Sequence, residues 1–298
     1  MSVPKRDGAR QGAVVEPTTQ QARARQVEEQ ELRLKERMDR IRSIVVVLSG
    51  KGGVGKSTVA VNLAVALALK AKKVGLLDAD FHGPSVPKIL KLEHAPLRSD
   101  GQTIWPISYS PNLKVMSIGF LLQEQDDAII WRGPLKMNVL RQFLADVDWG
   151  ELDFLVVDLP PGTGDEPLSI CQLIPDATGA VVVTTPQEVA LADVRKCINF
   201  CRQLKLPVIG VLENMSGFVC PHCGTRADIF KTGGGEVMAQ QMNVPFLGRI
   251  PIDPNIVDAT DAGTPYVQVY VESQAAQAFG RVTRTILEAG DRGDQTGA

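Results

Sequence analysis

Residues 47–64, VLSGKGGVGKSTVAVNLA, constrain this chain more than any other stretch. An apolar run, IVVVLS (44–49), leads in, and a helix-forming run with an apolar stripe, STVAVNLAVALALKAK (57–72), leads out. Between them Gly50-Lys51-Gly52-Gly53-Val54-Gly55-Lys56-Ser57-Thr58 fits the phosphate-loop pattern, which works only where a strand turns into a helix. The glycines let the backbone curl with its N–H groups inward, and the following helix points its positive end at the phosphates. Lys56 is expected to reach the β and γ phosphates of ATP, Ser57 to ligate Mg2+ and Thr58 to add a phosphate contact. A second short apolar run, KVGLLDAD (73–80), completes a right-handed strand–helix–strand crossover.

The rest of the chain repeats that alternation. Strands are predicted at 113–119, 154–160, 179–185, 206–214 and 245–250, and helices near 134–146, 165–173, 187–203, 234–242 and 266–288. Nearly continuous apolar strands predict a single-domain α/β fold, an open, mostly parallel sheet with helices on both faces. Ligands should gather at the carboxyl ends of its strands. We expect the ATPase domain to span 43–288, with a cysteine-bearing insert near 217–225. Residues 1–20 read as a disordered leader, 21–42 as a mostly solvated helix and 289–298 as a frayed tail.

The 298 residues carry a net charge of −2, which gives no global reason to expect a nucleic-acid or acidic-membrane partner. Five cysteines without a recognisable signal peptide suggest a reducing compartment, and the expectation is a cytoplasmic protein. The apolar runs are too short to span a bilayer.

Other parts of a nucleotide site fall at other strand ends. Asp158 closes FLVVD, the expected place of a carboxylate that helps to hold Mg2+. The LPPGTGDEP that follows sets Pro160, Pro161, Gly162 and Gly164 on a loop suited to sensing the γ phosphate. Asp78 and Asp80 end GLLDAD; Asp78 is assigned to the magnesium shell and Asp80 to orienting the attacking water, although carboxylates there also cap turns. Lys51 is a second ammonium at the mouth of a loop already supplied with Lys56, and the two repel unless both meet anions. It serves its own phosphates or, as an arginine finger does, those of a facing subunit.

Cys220 and Cys223, in FVCPHCGTRADIF, can turn both sulfurs toward one soft metal, but two thiolates make half of a tetrahedral site. A second copy across a twofold axis would complete four thiolates, suited to Zn2+ or a [4Fe-4S] cluster; a redox disulfide is the remaining alternative. Cys171, Cys197 and Cys201 read as core packing.

The segments GKGGVGKST, LLDADFHGPSVP, VVDLPPGTGDEPLSI, VVTTPQEVALADVRK and GVLENMSGFVCPHCG together resemble the Mrp/ApbC-like iron-sulfur cluster carrier ATPases. That family sits within the class that includes MinD, ParA and nitrogenase iron protein. The resemblance covers roughly 42–285 and implies an ATP-hydrolysing homodimer with Lys51 acting across the interface. It implies that Asn214 binds the purine, with Pro251 and Asp253 near the adenine. It also implies a labile [4Fe-4S] cluster bridging two Cys220/Cys223 pairs and delivered to apo iron-sulfur proteins. Some eukaryotic relatives carry an extra cysteine-rich site at the amino end; residues 1–170 here contain no cysteine, so none is expected. The rival readings are a MinD- or ParA-like positioning ATPase acting on membrane or DNA, and an ATP-dependent reductase.

Overall fold

The computed structural model describes residues 19–121, 133–174, 176–220 and 222–293. The strands are β1 (Ile41–Ser49), β2 (Val74–Asp78), β3 (Arg98–Ser99), β4 (Ile104–Trp105), β5 (Ile107–Ser110), β6 (Leu113–Ser117), β7 (Leu152–Asp158), β8 (Gly179–Thr184), β9 (Val208–Glu213), β10 (Phe218–Val219), β11 (Arg226–Ala227) and β12 (Phe246–Arg249). The helices are α1 (Thr19–Met38), α2 (Lys56–Leu69), α3 (Val86–Ile89), α4 (Gly133–Asp146), α5 (Asp165–Leu173), α6 (Glu188–Gln203), α7 (Gly234–Gln241), α8 (Pro254–Ala262), α9 (Tyr266–Val269) and α10 (Gln274–Gly293).

Eight strands form one sheet in the order β12-β9-β8-β1-β7-β2-β6-β5. Every pairing is parallel except that of the edge strand β5, which runs antiparallel to β6. Side chains of a strand alternate between faces, and β1 shows the result. Val45 and Val47 join a core with α2 and α10, while Ile44, Val46 and Leu48 join the core on the other face. Both faces are therefore apolar, which is why the central strands read as unbroken Val and Leu runs. The seven parallel strands are those predicted from the sequence, and the antiparallel edge strand β5 is an addition.

Three boundaries differ from expectation, each for a packing reason. The amino-terminal helix ends at Met38, and Ile41 already lies in β1 opposite Leu152, so the strand begins before Ser43. That helix is largely exposed, as expected, but docks along one edge: Leu34 is buried with Phe143 and Leu144, and Arg37 meets Asp148 at 2.7 Å. At the other end α10 continues to Gly293, past the expected start of a tail at 289. Gly290 is buried there, where a Cβ would come 2.9 Å from the Phe154 ring, so the last turn is seated on the sheet. Most of the expected leader, up to residue 18, and residues 294–298 of the expected tail lie outside the described residues. Among the described residues no helix is long and apolar enough to cross a membrane.

Candidate functional site

The phosphate loop joins β1, at the centre of the sheet, to α2. Gly53 and Gly55 take positive φ angles of 79° and 81°, a region that residues with a Cβ enter only at a cost. Gly55 caps α2, so the helix opens at Lys56 with its first amides directed into the loop. Lys56 is buried, and its Nζ lies 2.6 Å from Asp158 Oδ1 and 3.4 Å from Ser57 Oγ. The register explains the meeting, because β1 and β7 are neighbours with Val47 opposite Asp158. Burial pushes the Asp158 carboxyl up and the Lys56 ammonium opposes that push. Its second oxygen, Oδ2, is buried without a hydrogen-bond partner. A buried unsatisfied carboxylate oxygen beside a serine hydroxyl is hard-ligand chemistry, and it fits a divalent cation such as Mg2+.

Asp78 ends β2 opposite Asp158 and is fully buried. Burial, and then the Asp158 charge, push it up to about 8. Its oxygens are engaged: Oδ1 accepts from the amide of Asp80 (3.2 Å), and Oδ2 accepts from the amide of Val86 (3.2 Å) and the hydroxyl of Ser117 (3.1 Å). Asp78 therefore anchors the loop that carries Asp80, a contribution of Ser117 that sequence reasoning missed. Asp80 accepts from the amide of His82 and faces the cleft above the phosphate loop.

That cleft has a volume of about 440 Å³ and brings together Lys51, Gly52, Gly53, Gly55, Lys56, Ser57, Thr58, Asp80 and Pro161. Lys51 is half-buried at its edge and has no carboxylate within ion-pair distance among the described residues. Two further walls were not anticipated: Lys88 on α3, and Thr260 with Asp261 on α8. The helix α8 was itself missed, although its signals were present in Asp253 at the cap, Pro254 in the first turn and Gly263 past the end.

On the 160–164 loop Pro160 is buried and Pro161 exposed, and neither has an N–H to offer. The amide of Gly162 donates to Ser49 O at 2.8 Å, tying the loop to β1. Gly164 caps α5.

Val54 and Asn214 meet directly: Asn214 Nδ2 donates to the Val54 carbonyl at 2.9 Å. A Cβ on Gly55 would come 2.3 Å from the same nitrogen. Asn214 thus grips the phosphate loop. Pro251 and Asp253 line a separate groove of about 280 Å³, and Asp253 caps α8 by accepting from the amide of Asn255 while also taking the Tyr266 hydroxyl.

The cysteine element is a tight hairpin, β10 against β11, with Phe218 opposite Ala227 and Val219 opposite Arg226. The Cys220 amide donates to Thr225 O and the Gly224 amide returns a bond to Cys220 O, which shapes the turn between the two sulfurs. Cys223 is exposed; the Thr225 hydroxyl, 3.3 Å from its sulfur, and then the Thr225 amide hold the thiol below its ordinary value. Among the described residues no third His, Cys, Asp or Glu joins the pair in a metal-binding group. Cys171, Cys197 and Cys201 are buried in the core, where burial pushes their thiols up to about 11, 12 and 12, so they are inert packing groups.

Comparison with known proteins places the chain in a family. The family described as "NUBPL iron-transfer P-loop NTPase" matches residues 40–287. An iron-sulfur cluster carrier protein of Methanocaldococcus jannaschii is 50% identical over 260 residues, covering 87% of this chain and 89% of the relative. One of Saccharolobus solfataricus is 46% identical over 263 residues, covering 88% and 89%. Among solved structures, a nucleotide-binding protein of Archaeoglobus fulgidus in complex with ADP, in which Co was found, superposes with a TM-score of 0.70 at 43% identity, covering 79% of this chain and 92% of that one. MinD of Pyrococcus horikoshii with Mg-ADP gives 0.61 at 25% identity, covering 81% and 94%.

Proposed function

Because the chain belongs to the iron-transfer P-loop NTPases, and with them to the ATP-hydrolysing iron-sulfur cluster carriers, we propose that it works as a homodimer holding a labile [4Fe-4S] cluster between two copies of Cys220 and Cys223, and passes that cluster to apo-proteins. One observation carries the reading: two accessible thiols on a hairpin whose root, Asn214, also grips the phosphate loop. A single chain offers two thiolates where a cluster wants four, so a facing copy supplies the rest.

In this reading the amides of Gly52, Gly53, Val54 and Gly55, with Thr58, cradle the phosphates of ATP. Lys56 turns from Asp158 to the β and γ phosphate oxygens, and Ser57 and Asp158 hold Mg2+, with Asp78 behind them. When bound, that cation neutralises charge on the phosphates. Asp80 orients the water that attacks the γ phosphorus as the bond to the ADP oxygen breaks. Lys51, reaching from the facing copy, compensates the charge that develops. The loop of Pro160, Pro161, Gly162 and Gly164 registers loss of the γ phosphate, through the amides beyond the one that Gly162 spends on Ser49. The adenine lies toward Pro251 and Asp253, with the side-chain oxygen of Asn214 turned to the base.

The test is anaerobic reconstitution with iron and sulfide. We expect about four irons per dimer with a cluster spectrum, both lost when Cys220 and Cys223 are changed to Ser. Trace iron in the native protein, or iron retained by the double variant, overturns the cluster assignment. Zinc as the sole metal of anaerobically isolated protein would replace it with a structural site.

A further inference from the structure

Glu213 takes no part in the chemistry just described, yet it is one of the most heavily hydrogen-bonded groups near it. It ends β9, is fully buried, and comes immediately before Asn214. A buried carboxylate is costly unless donors meet its oxygens, and here they come from both ends of the cysteine-bearing insertion. On the entry side the Ser216 hydroxyl donates to Oε1 at 2.5 Å. On the exit side the Gly233 amide donates to Oε1 at 2.8 Å and the Gly235 amide donates to Oε2. Arg249 Nε stands 3.5 Å from Oε1. Ser216 Oγ also meets Thr232 Oγ1 at 2.9 Å, a direct stitch from one end to the other. The fit is close, since a Cβ on Gly235 would come 2.9 Å from Oε2.

One carboxylate therefore closes the base of the segment that displays Cys220 and Cys223. The neighbouring side chain, Asn214, closes on the Val54 carbonyl with no room for a side chain at Gly55. Two consecutive residues hold the phosphate loop on one side and the root of the thiol hairpin on the other. A buried carboxylate held by this many donors is rigidly tied to the segments that supply them.

We propose that Glu213 is a positioning residue that couples the nucleotide state of the phosphate loop to the metal-binding state of the Cys220/Cys223 pair. The proposal rests on the carrier reading above. A shift of the Val54–Gly55 backbone on phosphate binding is passed by Asn214 to the adjoining Glu213, and from there to both ends of the hairpin, re-aiming the two sulfurs. Coupling of this kind is reciprocal: whatever factor ATP applies to metal affinity, metal applies to ATP affinity.

The experiment titrates the full chain anaerobically with Co2+, read by thiolate-to-cobalt absorption, with and without Mg2+ and a non-hydrolysable ATP analogue. In the native protein we expect the analogue to change the Co2+ affinity by about 5-fold or more. Glu213→Gln, which keeps the shape and removes the charge, should bring the ratio toward one while both ligands still bind. Native protein without coupling, or a folded Glu213→Gln variant that keeps the full ratio, overturns the proposal. Where Glu213→Gln fails to fold, Ser216→Ala decides, because it cuts the entry-side bond and the stitch to Thr232 yet leaves both glycine amides on the carboxylate. A ratio reduced in Ser216→Ala supports the coupling, and an unchanged one overturns it. A Co2+ signal that survives Cys220→Ser/Cys223→Ser refutes the carrier reading itself, which separates that failure from the failure of Glu213 to couple.

Discussion

The nucleotide cleft and the cysteine hairpin are built on opposite principles. Around the phosphate loop the important groups are buried and mutually engaged: Lys56 on Asp158, Asp78 on three donors of its own chain, Asn214 on Val54. At the hairpin the backbone is pinned but the thiols are at least partly exposed, and the pair proposed to hold a metal supplies two of the four thiolates a cluster needs. The difference teaches where one chain suffices. Holding a nucleotide calls for groups already gathered at the end of the sheet, whereas the proposed delivery of a cluster calls for thiols that a second molecule can reach.

That contrast can be broken from either side, and the largest effect belongs to Lys56. Lys56→Ala strands Asp158 in a buried position, so stability should fall by about 3–5 kcal/mol as well as nucleotide binding being lost. Urea unfolding and calorimetric titration with ATP measure the two losses; unchanged unfolding would show that the ion pair is not a structural strut. Lys51→Ala should leave stability and binding nearly intact yet slow hydrolysis by about 10³-fold, the scale of a trans-acting cation. Mixing it with Asp80→Asn subunits should restore activity above either parent, because one hybrid site is whole. Verified exchange without recovery removes the trans role or that of Asp80.

Gly55→Ala comes next. It forces a Cβ into Asn214 at a positive φ, and about 1–3 kcal/mol of stability should go with it. At the hairpin the same measurement should barely respond: Cys220→Ser with Cys223→Ser should move the unfolding free energy by less than about 0.5 kcal/mol while abolishing cluster binding. The smallest effect sharpens the comparison within the hairpin. The Thr225 hydroxyl favours the Cys223 thiolate, so Thr225→Val should raise that pKa, lower the thiolate fraction at pH 7–8 and slow alkylation of metal-free protein several-fold. Mass-spectrometric labelling follows it, with the core thiols Cys171, Cys197 and Cys201 as unreactive references.

What the sequence disclosed follows the same division. The sheet was legible because strands buried on both faces must be apolar throughout, and the phosphate loop because its glycines and lysine have few other uses in that spacing. Carboxylates were legible by place and much less by duty. Nothing in GLLDAD says that Asp78 will be saturated by Asp80, Val86 and Ser117, since Ser117 comes from another strand 39 residues away. Asp253 was assigned through resemblance, and the helix it opens, with Pro254 in the first turn and Gly263 at the far end, went unread though its signals were local. The docking edge of the amino-terminal helix was hard to read because its apolar content is sparse and most of it stays exposed. Leu34 and Met38 suffice to dock it only because α4 offers a matching face.

The helix α2 carries a last consequence. It is apolar nearly all round, with Val59 through Val65 buried without a break, between the sheet on one side and α9 and α10 on the other. Its middle has no wet side on which to fray, so that stretch cannot open unless the middle of the molecule opens with it. Amide protons of Val59 through Val65 should therefore exchange with solvent only as fast as the whole protein unfolds, while those of the 217–227 hairpin exchange orders of magnitude sooner. Wherever the chain is folded at all, the helix behind the phosphate-binding loop is already formed.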